Sequence, residues 1–221
     1  MNERLSIELS LDLESIVKSK KRIVAAMNAT FFSEVINKIP AELLSKKFIF
    51  WPDGLFAFFV SCNFKKIPGR KLLKNVLEVS KKSNQKVSFI GDKFDDKIDL
   101  LKDINWELRN VSYGSSDEIF QEINENLEGI VIINIPSPKQ EELAVLLSEK
   151  NPETQFFCTG GALNMLLGEE KIVPEIINKI GLEWLWRLRN DTKRRIKRLV
   201  TILFFLPRGI QKFGKIFYHE K

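Results

Sequence analysis

Short apolar runs alternate along this chain with segments whose apolar residues recur every three or four positions. Runs at Arg22–Met27, Lys47–Trp51, Lys86–Ile90, Trp106–Ser112, Gly129–Ile135 and Thr154–Thr159 have the length and composition of strands, and a further short strand is expected within Leu5–Leu13. Helical spacing fills Ala29–Asn37, Arg70–Lys82, Asp95–Asp103, Ser116–Asn126 and Pro138–Glu149. This alternation predicts an α/β fold, a mostly parallel sheet with helices on both faces. The run Gly129–Ile135 reads as a strand buried on both sides. In such sheets ligands bind beyond the carboxyl ends of the strands, where Asn28, Asp53-Gly54, Ser137 to Glu141 and Thr159-Gly-Gly161 are expected to fall.

The last forty residues follow a different rule. Leu185, Leu188, Thr192, Ile196, Leu199, Leu203, Leu206, Ile210, Phe213 and Phe217 are spaced by three or four throughout, which predicts one helical seam, with Lys and Arg on the other faces of its first half. Pro207 is expected to break or kink that helix near its middle. The expected organisation is therefore a core over 1–180 and a basic amphipathic appendage over 181–221.

Charge sharpens this division. The chain of 221 residues carries a formal +6, yet Glu183 to Lys221 holds eleven Lys+Arg against three Asp+Glu, and Met1 to Leu182 holds 24 against 26. The basic character belongs to the tail, and a basic segment attracts phosphates: lipid head groups, a nucleotide diphosphate or nucleic acid. The body is slightly acidic and carries no helix-turn-helix, zinc or RNA-binding signature, so no nucleic-acid partner is expected. Mixed with apolar and aromatic residues, the run Lys193–Arg198 is typical of a helix lying on a membrane surface. The longest apolar run, Leu199–Leu206, is far short of the roughly 20 residues that cross a bilayer. Met1 to Lys21 is charged throughout, unlike a signal peptide. Cys62 and Cys158 lie far apart in apolar surroundings and read as buried free thiols of a reducing cytoplasm. His219 is the single histidine, so neither a catalytic histidine nor a histidine-based metal site is expected.

Three motifs have both a local and a chemical reading. Ser137-Pro-Lys-Gln-Glu141 has the spacing of a capping box, with Ser137 as cap, Pro138 at the first helical position and Gln140 three residues on; it also sets the Gln140 amide and a helix N-terminus at the ligand edge. Trp51-Pro-Asp-Gly54 is a strong turn signal, and it also leaves a carboxylate at a strand end, available as a general base. Gly160-Gly161 permits close approach of backbone to ligand but lacks the spacing of a dinucleotide fingerprint.

Taken together, Val24-Ala-Ala-Met-Asn28, Trp51-Pro-Asp-Gly54, Lys65-Lys-Ile-Pro-Gly69, Phe89-Ile-Gly91, Pro138-Lys-Gln-Glu141, Gly160-Gly161, Val173-Pro174 and Gly181-Leu-Glu-Trp-Leu-Trp-Arg-Leu188 resemble, in order and spacing, the WecG/TagA/CpsF glycosyltransferases, glycosyltransferase family twenty-six. The resemblance runs from about Arg22 to Arg198. It implies a Rossmann-like core and a bacterial, metal-independent, cofactor-free enzyme at the inner face of the cell membrane. Such an enzyme moves a sugar, often N-acetylmannosamine, from UDP to a polyprenyl-diphosphate-linked sugar with inversion, for a surface polysaccharide. It further implies that Asp53 is the catalytic base, that Asn28, Gly54, Lys66, Gln140, Gly160 and Gly161 line the substrate pocket, and that Arg187, Arg194 and Lys197 meet the leaving diphosphate. The appendage would help close the site and bring the enzyme to an anionic membrane.

The chain also departs from the family pattern. Ala26 stands where a threonine is usual, Lys66 and Ile172 where arginines are, Lys71 where an aspartate is, and Leu55-Phe-Ala-Phe-Phe59 replaces a glycine-rich start. These departures keep open a second reading, a non-catalytic relative that holds nucleotide-sugar or lipid-diphosphate as a regulator or scaffold. In a third, the tail seam is the interface of a homo-oligomer.

Overall fold

A computed structural model describes residues 5–10, 12–17, 22–53, 67–91, 101–123, 126–166, 174, 177 and 192–217. Seven strands form one sheet: β1 (Glu8–Leu9), β2 (Ile23–Met27), β3 (Phe48–Pro52), β4 (Val87–Gly91), β5 (Trp106–Asn110), β6 (Ile130–Asn134) and β7 (Gln155–Cys158). Every pairing is parallel and the spatial order is β1-β3-β2-β7-β6-β4-β5. The fold is a Rossmann-like α/β sheet, as the alternation of apolar runs and helical spacing predicts.

The helices are α1 (Leu13–Val17), a π-helical stretch Phe31–Val35 continuing into α2 (Ile36–Lys38), α3 (Ala41–Lys47), α4 (Gly69–Ser83), α5 (Ser116–Glu122), α6 (Lys139–Lys150), α7 (Ala162–Leu166) and α8 (Thr192–Phe217). The sheet separates two apolar layers. Odd positions of β2 and even positions of β3 pack Ile23, Ala25, Met27, Phe48 and Phe50 with Phe31, Leu143 and Leu147 on one face. The alternate positions pack Val24, Ile49, Trp51, Phe89, Ile132 and Phe157 with Leu72, Val76 and Leu163 on the other. This period of two, apolar on both sides, is why the strands read as continuous apolar runs. α1, α3 and α7 are not expected from spacing, and α1 and α7, with five residues each, are too short to show a helical period. The strand expected in Leu5–Leu13 shrinks to Glu8–Leu9, and α1 follows it. Most of the helix expected over Asp95–Asp103 lies outside the described residues, as does Cys62.

One helix runs from Thr192 to Phe217 with Pro207 inside it, so the helix is not broken there. Pro207 has no N–H to donate to the Leu203 carbonyl four residues back, and both residues are exposed. The expected seam also divides. Leu206 and Phe213 pack on the body, with Phe213 edge-on to Phe31 and Phe32 at ring distances of 6.2 and 5.3 Å. Ile196, Leu203 and Ile210 face away, at 47, 62 and 49 % exposure, with Val200 and Phe204 at 59 and 63 %. Gly209 explains the docking register: a Cβ there would overlap the Phe32 carbonyl oxygen, so only glycine permits the contact.

At the far edge of the sheet Glu107 ties β5 to β4. Its carboxylate accepts from Ser88 Oγ at 2.7 Å and pairs with Lys86 at 2.8 Å and Arg109 at 3.1 Å. Desolvation pushes this carboxyl upward, but the bonds from Lys86, Ser88 and Arg109 outweigh it and hold it below its ordinary value. A depressed folded-state pKa stabilises fully above the unfolded value near ~4.3, and that contribution is lost as the pH falls through the folded value. Glu107→Gln is expected to lower stability at pH 7 by about 1 kcal/mol. In thermal melts the gap to wild type should close as the pH drops below about 4.

Candidate active site

The carboxyl ends of β3, β2, β7, β6 and β4 lie side by side at one rim of the sheet. Register places Ala26 opposite Trp51, and Gly91 opposite Asn134. One step beyond the last paired residues, Ala25↔Cys158 and Ile133↔Cys158, it sets Thr159 between Ala26 and Asn134. Trp51, Ala26, Thr159, Asn134 and Gly91 thus form one row across five strands, on the face that α4 and α7 cover. Within the row, Trp51 Nε1, Thr159 Oγ1 and Asn134 Oδ1 are buried and lack a hydrogen-bond partner among the described residues. Buried polar groups are nearly always paired, so three such atoms in one row single it out as a candidate site. Gly91 has φ +154°, and a Cβ there would come within 2.9 Å of the Asn134 carbonyl oxygen, so the row closes tightly at this point.

The chain leaving β4 turns outward to β5, whereas the chain leaving β6 turns the other way to β7. A parallel sheet opens its ligand crevice where successive connections diverge in this manner. Beside that opening, Asn134 Nδ2 donates to Asn164 Oδ1 on α7 at 2.7 Å. Sequence reading placed Thr159 at this edge and missed Asn134 and Asn164. Asn134 sits inside an apolar run, and Asn164 in a helix too short to show a period.

Asn28 and Asp53 stand one residue beyond the register pair Met27↔Pro52, and Asp53 N–H donates to the Met27 carbonyl at 3.3 Å. Asp53 is half-buried at its strand end. Asn28 Oδ1 accepts the backbone N–H groups of Thr30 and Phe31 at 2.9 and 3.2 Å, so its side chain starts the helical segment that becomes the π-helical stretch.

Ser137-Pro-Lys-Gln-Glu141 folds differently from a capping box. Pro138 is the N-cap of α6 and no side chain caps the helix. Gln140 is 3 % exposed, and its Nε2 donates to Ser137 Oγ at 2.6 Å and to Glu141 Oε1 at 2.8 Å. Ser137 Oγ in turn donates to Glu141 Oε1 at 2.8 Å, which withdraws it from capping duty. With both amide hydrogens engaged, Gln140 presents Oε1 to the Gly160 N–H at 2.9 Å. Gly160, at φ +51°, occupies the left-handed region that favours glycine. Gln140 therefore joins the loop after β6 to the loop after β7, and Gly161 beside it is exposed. Glu141 is 2 % exposed; burial, and then its charge, pushes the Cys158 thiol well above its usual value.

Gly54, Lys66, Arg187 and the whole Gly181–Leu188 segment lie outside the described residues. Arg194 and Lys197 fall in the first half of α8, with their side chains outside the described ones. The structure thus brings Asn28, Asp53, Gln140, Gly160 and Gly161 to one rim.

The sequence model of the WecG/TagA/CpsF glycosyl transferase family matches residues 8–216. The chain belongs to this family. Relatives in Staphylococcus aureus strains MW2 and NCTC 8325 are each 22% identical over 160 residues, covering 68% of this chain and 63% of theirs. Both are named N-acetylglucosaminyldiphosphoundecaprenol N-acetyl-beta-D-mannosaminyltransferase. The match thus spans less than two thirds of the relatives' length.

Replacing Gln140 with leucine keeps the volume but leaves the Gly160 N–H without its acceptor and takes one donor each from Ser137 Oγ and Glu141 Oε1. A loss of about 2 kcal/mol in unfolding free energy is expected, together with faster hydrogen exchange at the Gly160 amide. Unchanged exchange at Gly160 would mean that Gln140 does not hold the loops together.

Proposed function

We propose that the chain is an inverting glycosyltransferase. It moves an N-acetylmannosamine-like sugar from a UDP-sugar to a polyprenyl-diphosphate-linked acceptor in the assembly of a bacterial surface polysaccharide. The observation that carries this reading is a half-exposed carboxylate, Asp53, beside Asn28 at the rim of a family-twenty-six sheet. Asp53 takes the proton of the acceptor hydroxyl as its oxygen attacks the anomeric carbon. The bond from that carbon to the UDP oxygen breaks on the opposite face, which inverts the centre, and its electron pair leaves with UDP. Arg187, Arg194 and Lys197 meet the departing charge without a metal. Asn28, Gly54, Lys66, Gln140, Gly160 and Gly161 shape and line the pocket.

In the same reading 181–221 is an appendage that closes the pocket and meets the inner face of the cell membrane. Among the described residues no helix is long and apolar enough to cross a membrane. α8 offers instead an exposed row of Ile196, Val200, Leu203, Phe204 and Ile210, with the exposed Arg208 lying 5.6 Å over the Phe204 ring. An apolar row edged by cations suits a helix lying at the head-group boundary of an anionic bilayer. The non-catalytic alternative retains one support in the rim itself, where Ala26 supplies no polar group.

Asp53→Asn is expected to lower UDP release with a lipid-linked acceptor analogue by at least about a hundredfold while UDP affinity stays within about twofold. Full activity in that variant would remove Asp53 as base, and tight UDP-sugar binding without wild-type turnover across a broad acceptor panel would favour the binding relative. Leu203→Glu combined with Phe204→Glu is expected to weaken binding to phosphatidylglycerol vesicles by at least about tenfold with little change in melting temperature, since both side chains are exposed. A change in sedimentation alone would assign the row to contact between copies of the chain.

A further inference from the structure

We propose that β5 is a self-complementary edge through which two copies of the chain join their sheets, antiparallel, around a two-fold axis at Leu108. β5 ends the sheet, and among the described residues it pairs with β4 alone. The other outer strand, β1, has two residues, whereas β5 has five, half-buried from Trp106 to Arg109 and exposed at Asn110. An edge of that length is a template for a further strand. Register decides which backbone groups it offers. Val87 stands opposite Trp106, and its N–H donates to the Asn105 carbonyl at 2.9 Å. In a parallel ladder the two residues flanking the opposed one carry the bonds. Asn105, Glu107 and Arg109 therefore direct their backbone groups toward β4, and Leu108 directs its own outward. A two-fold axis at Leu108 sets its N–H and C=O against those of its copy, the doubly bonded pair of an antiparallel ladder.

The same axis decides the side chains. Glu107 meets the copy's Arg109, and Arg109 meets the copy's Glu107, in the positions of an antiparallel pair where side chains lie closest. Opposite charges thus face each other twice, and no like charges meet over Trp106–Asn110. An axis at Glu107 or at Arg109 would instead set like against like and turn the bonding groups away. Within one copy Glu107 already lies 3.1 Å from Arg109 and 2.8 Å from Lys86, so pairing enlarges an ion cluster and buries no isolated charge. The axis runs perpendicular to the sheet, so each apolar layer continues into the same layer of the copy. Both α8 helices then lie on one side of the joined sheet, because Leu206 and Phe213 belong to the layer of Phe31 and Phe32.

The test is sedimentation equilibrium of the full chain for wild type, Arg109→Glu, Glu107→Arg, an equimolar mixture of those two, and Leu108→Pro, with folding checked by thermal melts. So small an interface is weak, and wild type is expected to dimerise with a Kd on the order of 10–100 µM. Arg109→Glu opposes carboxylates and Glu107→Arg opposes cations, and each alone is expected to raise Kd by at least about tenfold. Mixed, each supplies the charge that the other lacks, and the Kd should return to within about threefold of wild type. Leu108→Pro removes an outward N–H at an edge position where proline is tolerated, and is expected to abolish the dimer; it keeps the test decisive if a charge variant fails to fold. A wild-type chain that stays monomeric at about 1 mM overturns the edge, as do folded Arg109→Glu or Leu108→Pro chains that dimerise like wild type. A mixture of folded charge variants that stays monomeric overturns the two-fold register. A dimer that persists in these variants but is lost on combining Leu203→Glu with Phe204→Glu also overturns the edge, and assigns association to α8.

Discussion

Parallel pairing in fixed register is the constraint from which the rim of this molecule follows. Five strands drawn from distant parts of the chain end at one edge, and their registers bring Trp51, Ala26, Thr159, Asn134 and Gly91 into a line. Side chains alternate between faces, so a slip of one residue in β6 would exchange Asn134 for an isoleucine from the opposite layer. The slip would also disturb the packing of Ile130 and Ile132 in one layer and of Val131 and Ile133 in the other, where side chains of different size fill fitted places. The residues that make the core thus also set the polar row, although none of them touches a ligand.

Above that row, the loops need their own fastening, because strand register ends where the strands end. Gln140 supplies it with a single amide. Its two hydrogens are committed to Ser137 and Glu141, so its oxygen has one direction left, toward Gly160. A carboxylate buried as deeply as Glu141 is costly unless its oxygens find donors, and two of those donors come from this same turn. The turn and the buried charge stabilise each other, which accounts for Gln140 acting here as a clasp between loops.

The fold was largely legible in the sequence because each main strand is apolar at nearly every position and each main helix has two or more turns of regular spacing. Asp53, Asn28 and Gln140 were legible too, as polar residues directly after such runs. Thr159 was legible in the same way, whereas Asn134 and Asn164 were not, since one ends an apolar run and the other sits on a five-residue helix. The capping box at Ser137 failed for a different reason. A cap is read from spacing along one segment, whereas the Ser137 hydroxyl is engaged by side chains that spacing cannot orient. The C-terminal seam failed because spacing of three and four fits more than one face of a long helix. Here Leu206 and Phe213 took the inner face and Leu203 and Ile210 the outer.

That outer face cannot be hidden by a simple turn of the helix. Gly209 sits where any Cβ would meet the Phe32 carbonyl, and rotating α8 would carry a larger side chain into that place. Phe213 adds a second anchor against the Phe31 and Phe32 rings. The inner contact therefore holds the outer row in water, a state that apolar side chains of this size leave when another surface is offered. The same contact grips the π-helical stretch, whose preceding turn Asn28 begins by accepting two backbone N–H groups. π-helical segments interrupt the regular ladder and are often found next to functional sites. In this chain the interruption lies between the surface helix and the residue beside Asp53, so the docking of α8 and the geometry of the rim are properties of one continuous piece of backbone.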